Sequence, residues 1–246
     1  MAETSPFRIR AATKQDVPAM TQILYRAFGT NQVHAAFWPQ HLSHLKVLPG
    51  PGDHLVWRGA RIEKLLDGSK PWAHCIVAVR QDPVSGEELM VGCAEWLAPE
   101  PVPAETDDDG DSSKKPPPES LEERLKKLPA AMDRQAMRDH VAGVKVLEDA
   151  LGKELGEEAM KDMWWPNSVA VDPDFQGQRI GTLLAQWGID QADADGKDIY
   201  LLASHAGARL YRKLGFVDVF EDEIFGAPQY AMYRPRTARG AEEGSS

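Results

Sequence analysis

Hydrophobic and polar positions alternate at the start of the chain. Phe7-Arg8-Ile9-Arg10 has the two-residue period of a strand with one buried face. A helical period replaces it. Val17, Met20, Ile23, Leu24 and Ala27 fall on one face, opened by Thr13-Lys14-Gln15-Asp16, which predicts a helix to about Phe28. Residues 31–39 carry the large side chains Val33, His34, Phe37 and Trp38 without a clear period, which predicts a hydrophobic loop that packs on the core or lines a pocket. A second helix is predicted over 53–66, stopped by Asp67-Gly68. Residues 72–80 and 88–97 read as strands. The turn residues Asp82-Pro83-Val84-Ser85-Gly86 between them predict an antiparallel hairpin, with Glu95 near the end of its second strand.

The pattern then breaks. Residues 98–118 are prolines, acids and a lysine pair, too poor in apolar surface to order themselves, and predict an acidic loop. Ser120-x-x-Glu123 is a capping box ahead of Leu121, Leu125 and Leu128. Pro129 ends that helix, and Met137, Val141, Val144 and Leu147 mark another over about 130–150. Residues 98–163 are therefore read as an acidic loop plus helical insertion between two strands.

The stretch 167–184, NSVAVDPDFQGQRIGTLL, joins three signals. Residues 167–171 are a short β-branched run, and Asp172-Pro173 stops it, because proline cannot donate to a ladder. Ile180, Leu183, Leu184 and Trp187 then give a helical face behind a turn containing Gly177 and Gly181. The first amides of a helix have no acceptors within it, and they sit at the positive end of its dipole. Strand, glycine turn and helix start fit a phosphate site and also an ordinary βα connection. Beyond Gly196, residues 199–203 are apolar without interruption, the pattern of a strand buried on both faces. Ser204 caps a helix carrying Ala206, Leu210 and Leu214, Gly215 ends it, and residues 216–220 and 229–233 read as last strands before a flexible tail, 237–246.

Composition narrows the classes. The chain has 246 residues, 42% of them hydrophobic, enough for a sizeable core, and no apolar run approaches a membrane span. The N-terminal MAETSPFRIR lacks the apolar stretch of a signal peptide, and Cys75 and Cys93 are too few for a disulfide scaffold; both point to a cytoplasmic protein. A net charge of −10 argues against nucleic acid; it serves solubility, and it is also compatible with a cationic substrate. No membrane partner and no metal are expected, and the oligomeric state is left open.

Val169-Ala170-Val171-Asp172-Pro173, then Gln176-Gly177-x-x-Ile180-Gly181, then Ala208-x-Leu210-Tyr211-x-x-Leu214-Gly215-Phe216 resemble, in order and spacing, the GNAT superfamily of acyl-CoA-dependent N-acyltransferases. The likeness is carried by residues 167–217 and is only topological over 7–97; in style the C-terminal half resembles small-molecule acetyltransferases of fungal type. It implies a single α/β acetyltransferase domain over 1–246: a mixed, twisted sheet with helices on both faces, splayed at its centre to admit a cofactor arm. It also implies acetyl-CoA as cosubstrate. Val169, Ala170 and Val171 would bind the pantetheine arm, and Gln176, Gly177, Gln178, Arg179, Ile180, Gly181 and Thr182 the diphosphate, with Ser204 and Lys213 beside them. Arg179 stands where the family has its middle glycine, so its Cβ crowds the diphosphate or its guanidinium adds a phosphate contact. Ser204 stands where many members have asparagine.

Acyl transfer needs a neutral amine, a base and a proton for the leaving sulfur. The resemblance makes Tyr211 the proton donor, since a phenol stays neutral at pH 7. The base is open among Glu95, which is placed first, His34, His205 and a water chain. His205 follows a strand and is expected to face the core, and His74 and Cys75 read as structural. A cysteine nucleophile with His205 would imply a ping-pong route without a motif behind it. His34, Phe37 and Trp38 are candidates to line the acceptor site. The function read is direct transfer of acetyl from acetyl-CoA to a small-molecule primary amine; the alternatives are a protein lysine or N-terminal acetyltransferase, and a non-catalytic acyl-CoA-binding module.

Overall fold

The computed structural model describes residues 6–82, 84–101 and 119–237, and within them the strands form two antiparallel sheets. In the first, β1 (Arg8–Ala11), β2 (Ala73–Gln81), β3 (Glu88–Leu97) and β4 (Trp165–Val171) lie in chain order. In the second, β7 (Ala227–Arg234) lies between β5 (Ile199–Ser204) and β6 (Val217–Ile224). The sheets meet where Trp164 pairs in parallel with Ile199: the Trp164 amide donates to the Asp198 carbonyl at 3.0 Å, and the Tyr200 amide to the Trp164 carbonyl at 3.2 Å. The mixed sheet expected from sequence is thus two antiparallel halves in contact through one parallel step.

The helices are α1 (Val17–Phe28), α2 (Gln32–Phe37), α3 (Gly52–Leu65), α4 (Leu121–Lys126), α5 (Arg134–Leu155), α6 (Glu157–Met160), α7 (Ile180–Asp195) and α8 (His205–Lys213). Residues 31–39 are not the expected loop. Asn31 Oδ1 accepts from the His34 amide at 2.7 Å and caps α2, which the short apolar run concealed. Helix α5 runs to Leu155, beyond the expected 150, and ends at Gly156 with φ 90°. Helices α4–α6 lie between β3 and β4, while the acidic loop over 102–118 and the tail over 238–246 fall outside the described residues.

The core follows strand parity. On one face of the first sheet Val77, Val79, Cys93 and Ala170 meet Met20, Leu24 and Ile62 of α1 and α3. On the other, Ile76, Ala94 and Trp96 meet Ile180, Leu184 and Ile189 of α7. In β5 the run is continuous because Ile199, Leu201 and Ala203 face this second cluster, while Tyr200 and Leu202 face Leu147 and Leu151 of α5. Helix α7 is seated by a notch. A Cβ at Gly188 would lie 2.1 Å from the Trp96 ring, whose Nε1 donates to the Leu184 carbonyl at 3.3 Å.

Candidate active site

Beyond the Trp164–Ile199 step, β4 and β5 part. The Asp172 amide donates to the Val91 carbonyl at 3.0 Å, so alternation turns Ala170 toward β3 and leaves the main-chain groups of Val169 and Val171 on the open edge. Gln176 Nε2 donates to the Val171 carbonyl at 3.2 Å, so that acceptor is taken by the chain itself. The edge still offers the amides of both valines and the Val169 carbonyl.

At the end of β4 the chain is pinned. Asp172 Oδ1 accepts from the Asp174 amide at 3.0 Å, and Arg26 of α1 donates to both Asp172 and Asp174 at 2.8 Å. The turn that follows leads into α7. Among the described residues the amides of 177–182 have no acceptor; the Leu183 amide is the first to be used, at 3.0 Å from the Arg179 carbonyl. Gly177 has φ 78° and Arg179 φ 64°. The left-handed turn is therefore kept although Arg179 replaces glycine at its centre, at a cost of about 1–2 kcal/mol. These bare amides at a helix start are what a diphosphate requires.

On the α8 side, the Tyr211 ring lies back over Gly207, where a Cβ would stand 3.6 Å from the ring's Cε2 and 3.7 Å from the Cβ of Ala203 at the end of β5. The ring stands edge-on to Phe216 at 5.3 Å. Burial pushes its phenol pKa up, so it stays protonated. The hydroxyl has no partner among the described residues and is not sealed from solvent. Ser204 Oγ accepts from the Gly207 amide at 3.4 Å and caps α8. Lys213 is exposed at the other end of that helix, about 12 Å along its axis, so the structure does not bring it to Ser204.

Glu95 sits on the α1–α3 face of β3, 5% exposed. The β3–β4 register slips between Glu95 and Trp96, which leaves Asn167 without a partner residue, and its Nδ2 donates to Glu95 Oε2. Glu95 Oε1 is unpaired and not sealed from solvent. His34 lies in a ring cluster that sequence reading missed. His54 of α3 stacks on His34 (4.8 Å) and on Trp38 (5.3 Å), with Tyr25 and Trp57 edge-on at 5.2 and 6.1 Å. Burial, with Arg58 beside it, pushes the His54 pKa down to about 3, and burial also lowers that of His34. These side chains had a signal in the sequence: His54, Trp57, Arg58 and Arg61 recur at helical spacing, so one face of α3 carries the rings and guanidinium groups.

Phe37 turns away from that cluster. Its ring stands edge-on to His140 of α5 at 5.1 Å and to Phe225 at 6.3 Å, and its carbonyl accepts from the Asp133 amide at 2.9 Å. Phe225, φ 55°, is with Arg179 one of two described non-glycine residues in the left-handed region. His205 does not face the core: it is exposed at the start of α8, 3.1 Å from the Tyr230 hydroxyl. Cys75 and Cys93 are buried, and burial pushes the Cys75 thiol up to about 12, the Cys93 thiol also upward. Neither is brought to His205, so no thiolate nucleophile is assembled.

Residues 137–218 match the family model described as an acetyltransferase (GNAT) domain. No curated protein matches the sequence significantly. Among solved structures, a Corynebacterium glutamicum protein named as histone acetyltransferase HPA2 and related acetyltransferase is 22% identical, with 94% of this chain and 97% of that one covered and a TM-score of 0.54. A mosquito protein named as arylalkylamine N-acetyltransferase like 5b is 14% identical, covering 92% and 98%, with a TM-score of 0.55. These likenesses establish the fold, and the matched segment spans α5, the open β4 edge, the bare amides and α8. Over residues 137–218 the chain is thus similar to a GNAT acetyltransferase domain, and that match fits an acyl-CoA-dependent N-acyltransferase that takes acetyl-CoA as its cosubstrate.

Proposed function

We propose that this protein transfers acetyl from acetyl-CoA directly to the primary amine of a small molecule, both substrates being bound together. The amides of 177–182 hold the diphosphate, and the open β4 edge at Val169 and Val171 lines the pantetheine arm. Glu95 takes the proton from the amine through Oε1 while Asn167 steadies Oε2. Tyr211, kept protonated by burial, gives a proton to the departing sulfur. Nitrogen–carbon bond formation, carbon–sulfur cleavage and both proton transfers then balance to an amide and a free thiol. Much of the acceleration comes from holding the two reactants together.

The observation that carries the small-molecule reading is the clasp of Phe37 between His140 and Phe225, which ties α2 to α5 and to the β6–β7 turn and so holds His34 and Trp38, on the other side of α2, against His54 as a wall for the acceptor. The two fold neighbours bear names with opposite acceptors, a histone and an arylalkylamine, so the walls, not the fold, favour a small amine. The test is thiol release from acetyl-CoA over a panel of amines and lysine peptides, beside calorimetric binding of acetyl-CoA. Small amines should outpace peptides. Tyr211→Phe should lower turnover at least about tenfold and Glu95→Gln about a hundredfold, both with acetyl-CoA affinity nearly kept. Unchanged turnover removes the residue from its role, faster peptide turnover moves the acceptor to proteins, and binding without release from any acceptor favours a non-catalytic module.

A further inference from the structure

The acceptor wall holds a cation that acyl transfer itself leaves unused. Arg58 is half-buried on α3, its guanidinium 5.7 Å from the centre of the Trp57 ring. Its Nε donates to His54 Nε2 at 3.2 Å. Because a guanidinium is always a donor, His54 Nε2 is the bare nitrogen and the ring proton sits on Nδ1. His54 is 4% exposed and sandwiched between His34 and Trp38, so it is a rigid and neutral rest for Arg58 that supplies no counter-charge.

No carboxylate among the described residues forms an ion pair with Arg58. Glu95 acts on it only through space, and Arg61 and Lys46 add positive charge to the same wall. The Nη nitrogens are unpaired and not sealed from solvent. A half-buried cation without an acid is costly to a folded protein, and its flat fork matches a carboxylate with two parallel hydrogen bonds. Glu95 Oε1 presents the opposite charge on the same face. This wall is thus amphoteric, unlike the chain-wide negative charge that favours a purely cationic acceptor.

We propose that the acceptor is an amine that also carries a carboxylate a few bonds from its nitrogen, an amino acid or close analogue, with the carboxylate on Arg58 and the amine at Glu95. This rests on the small-amine reading above and narrows its acceptor; Trp38 and Trp57 supply an apolar wall for the remainder of the molecule.

The experiment compares matched acceptors, tryptophan with tryptamine and phenylalanine with phenethylamine, by thiol release from acetyl-CoA, and measures tryptophan binding to the enzyme saturated with CoA by calorimetry. The carboxylated member of a pair should have the higher kcat/KM by at least about tenfold. Arg58→Gln should shrink that ratio to below about threefold and abolish tryptophan binding, and Arg58→Lys, which keeps the charge but not the fork, should fall between. Melting temperature and acetyl-CoA affinity verify that both variants are folded; if the glutamine variant is not, the lysine variant alone decides. A wild-type preference for the amines without carboxylate, or a loss in the variants that is equal for both members, overturns the proposal and leaves transfer to small amines standing. No thiol release with any amine strikes the transfer reading itself, and this proposal falls with it.

Discussion

Arg179 holds a backbone conformation that glycine adopts freely and arginine does not. Its φ of 64° sits at the start of α7, between Gly177 and the bare amides that follow. The side chain itself is exposed, so the cost lies in the backbone. Arg179→Gly should therefore raise stability by about 1 kcal/mol, read as the midpoint shift in urea unfolding at constant slope. Acetyl-CoA affinity separates two roles of the guanidinium. A loss in the glycine variant marks a phosphate contact, and an unchanged affinity marks a residue whose cost serves only the turn.

At the scale of elements, α7 is the part that everything else positions. Its N-terminus aims the amides, and its body lies on β3 through the Trp96–Gly188 notch. Gly188→Ala puts a methyl into the indole and should cost about 1–3 kcal/mol, measured by chemical unfolding, with acetyl-CoA binding weakened because the helix start moves with its body. The strand of 199–203, the cap at Ser204 and the strand–turn–helix of 167–184 were legible because each is set by local pattern. Helix α2 was not, since six residues give barely more than a turn and a half, and its cap had to be weighed against a hydrophobic run. The wall of His54, Trp57, Arg58 and Arg61 was readable as spacing, but its setting was not: only the packing of α3 on the first sheet brings Arg58 within electrostatic reach of Glu95. The bulge that brings Asn167 to Glu95 leaves no mark in a sequence of strand-forming residues.

For the whole molecule, function comes from an incomplete sheet. Two antiparallel halves touch at Trp164 and Ile199 and then separate, so one strand edge and one helix start are left with main-chain groups that the protein does not satisfy. Unsatisfied groups are costly when buried and useful when a ligand completes them. In the proposed reaction acetyl-CoA takes the place of the missing neighbour, as an added strand would, and the halves on either side offer Glu95 and Tyr211 as base and acid. The most direct measurement is the set of backbone amide resonances on titration with acetyl-CoA. The amides of 177–182, with those of Val169 and Val171, should show the largest shifts and slowed hydrogen exchange at saturation. Saturable binding that leaves the 177–182 amides unmoved would contradict the account.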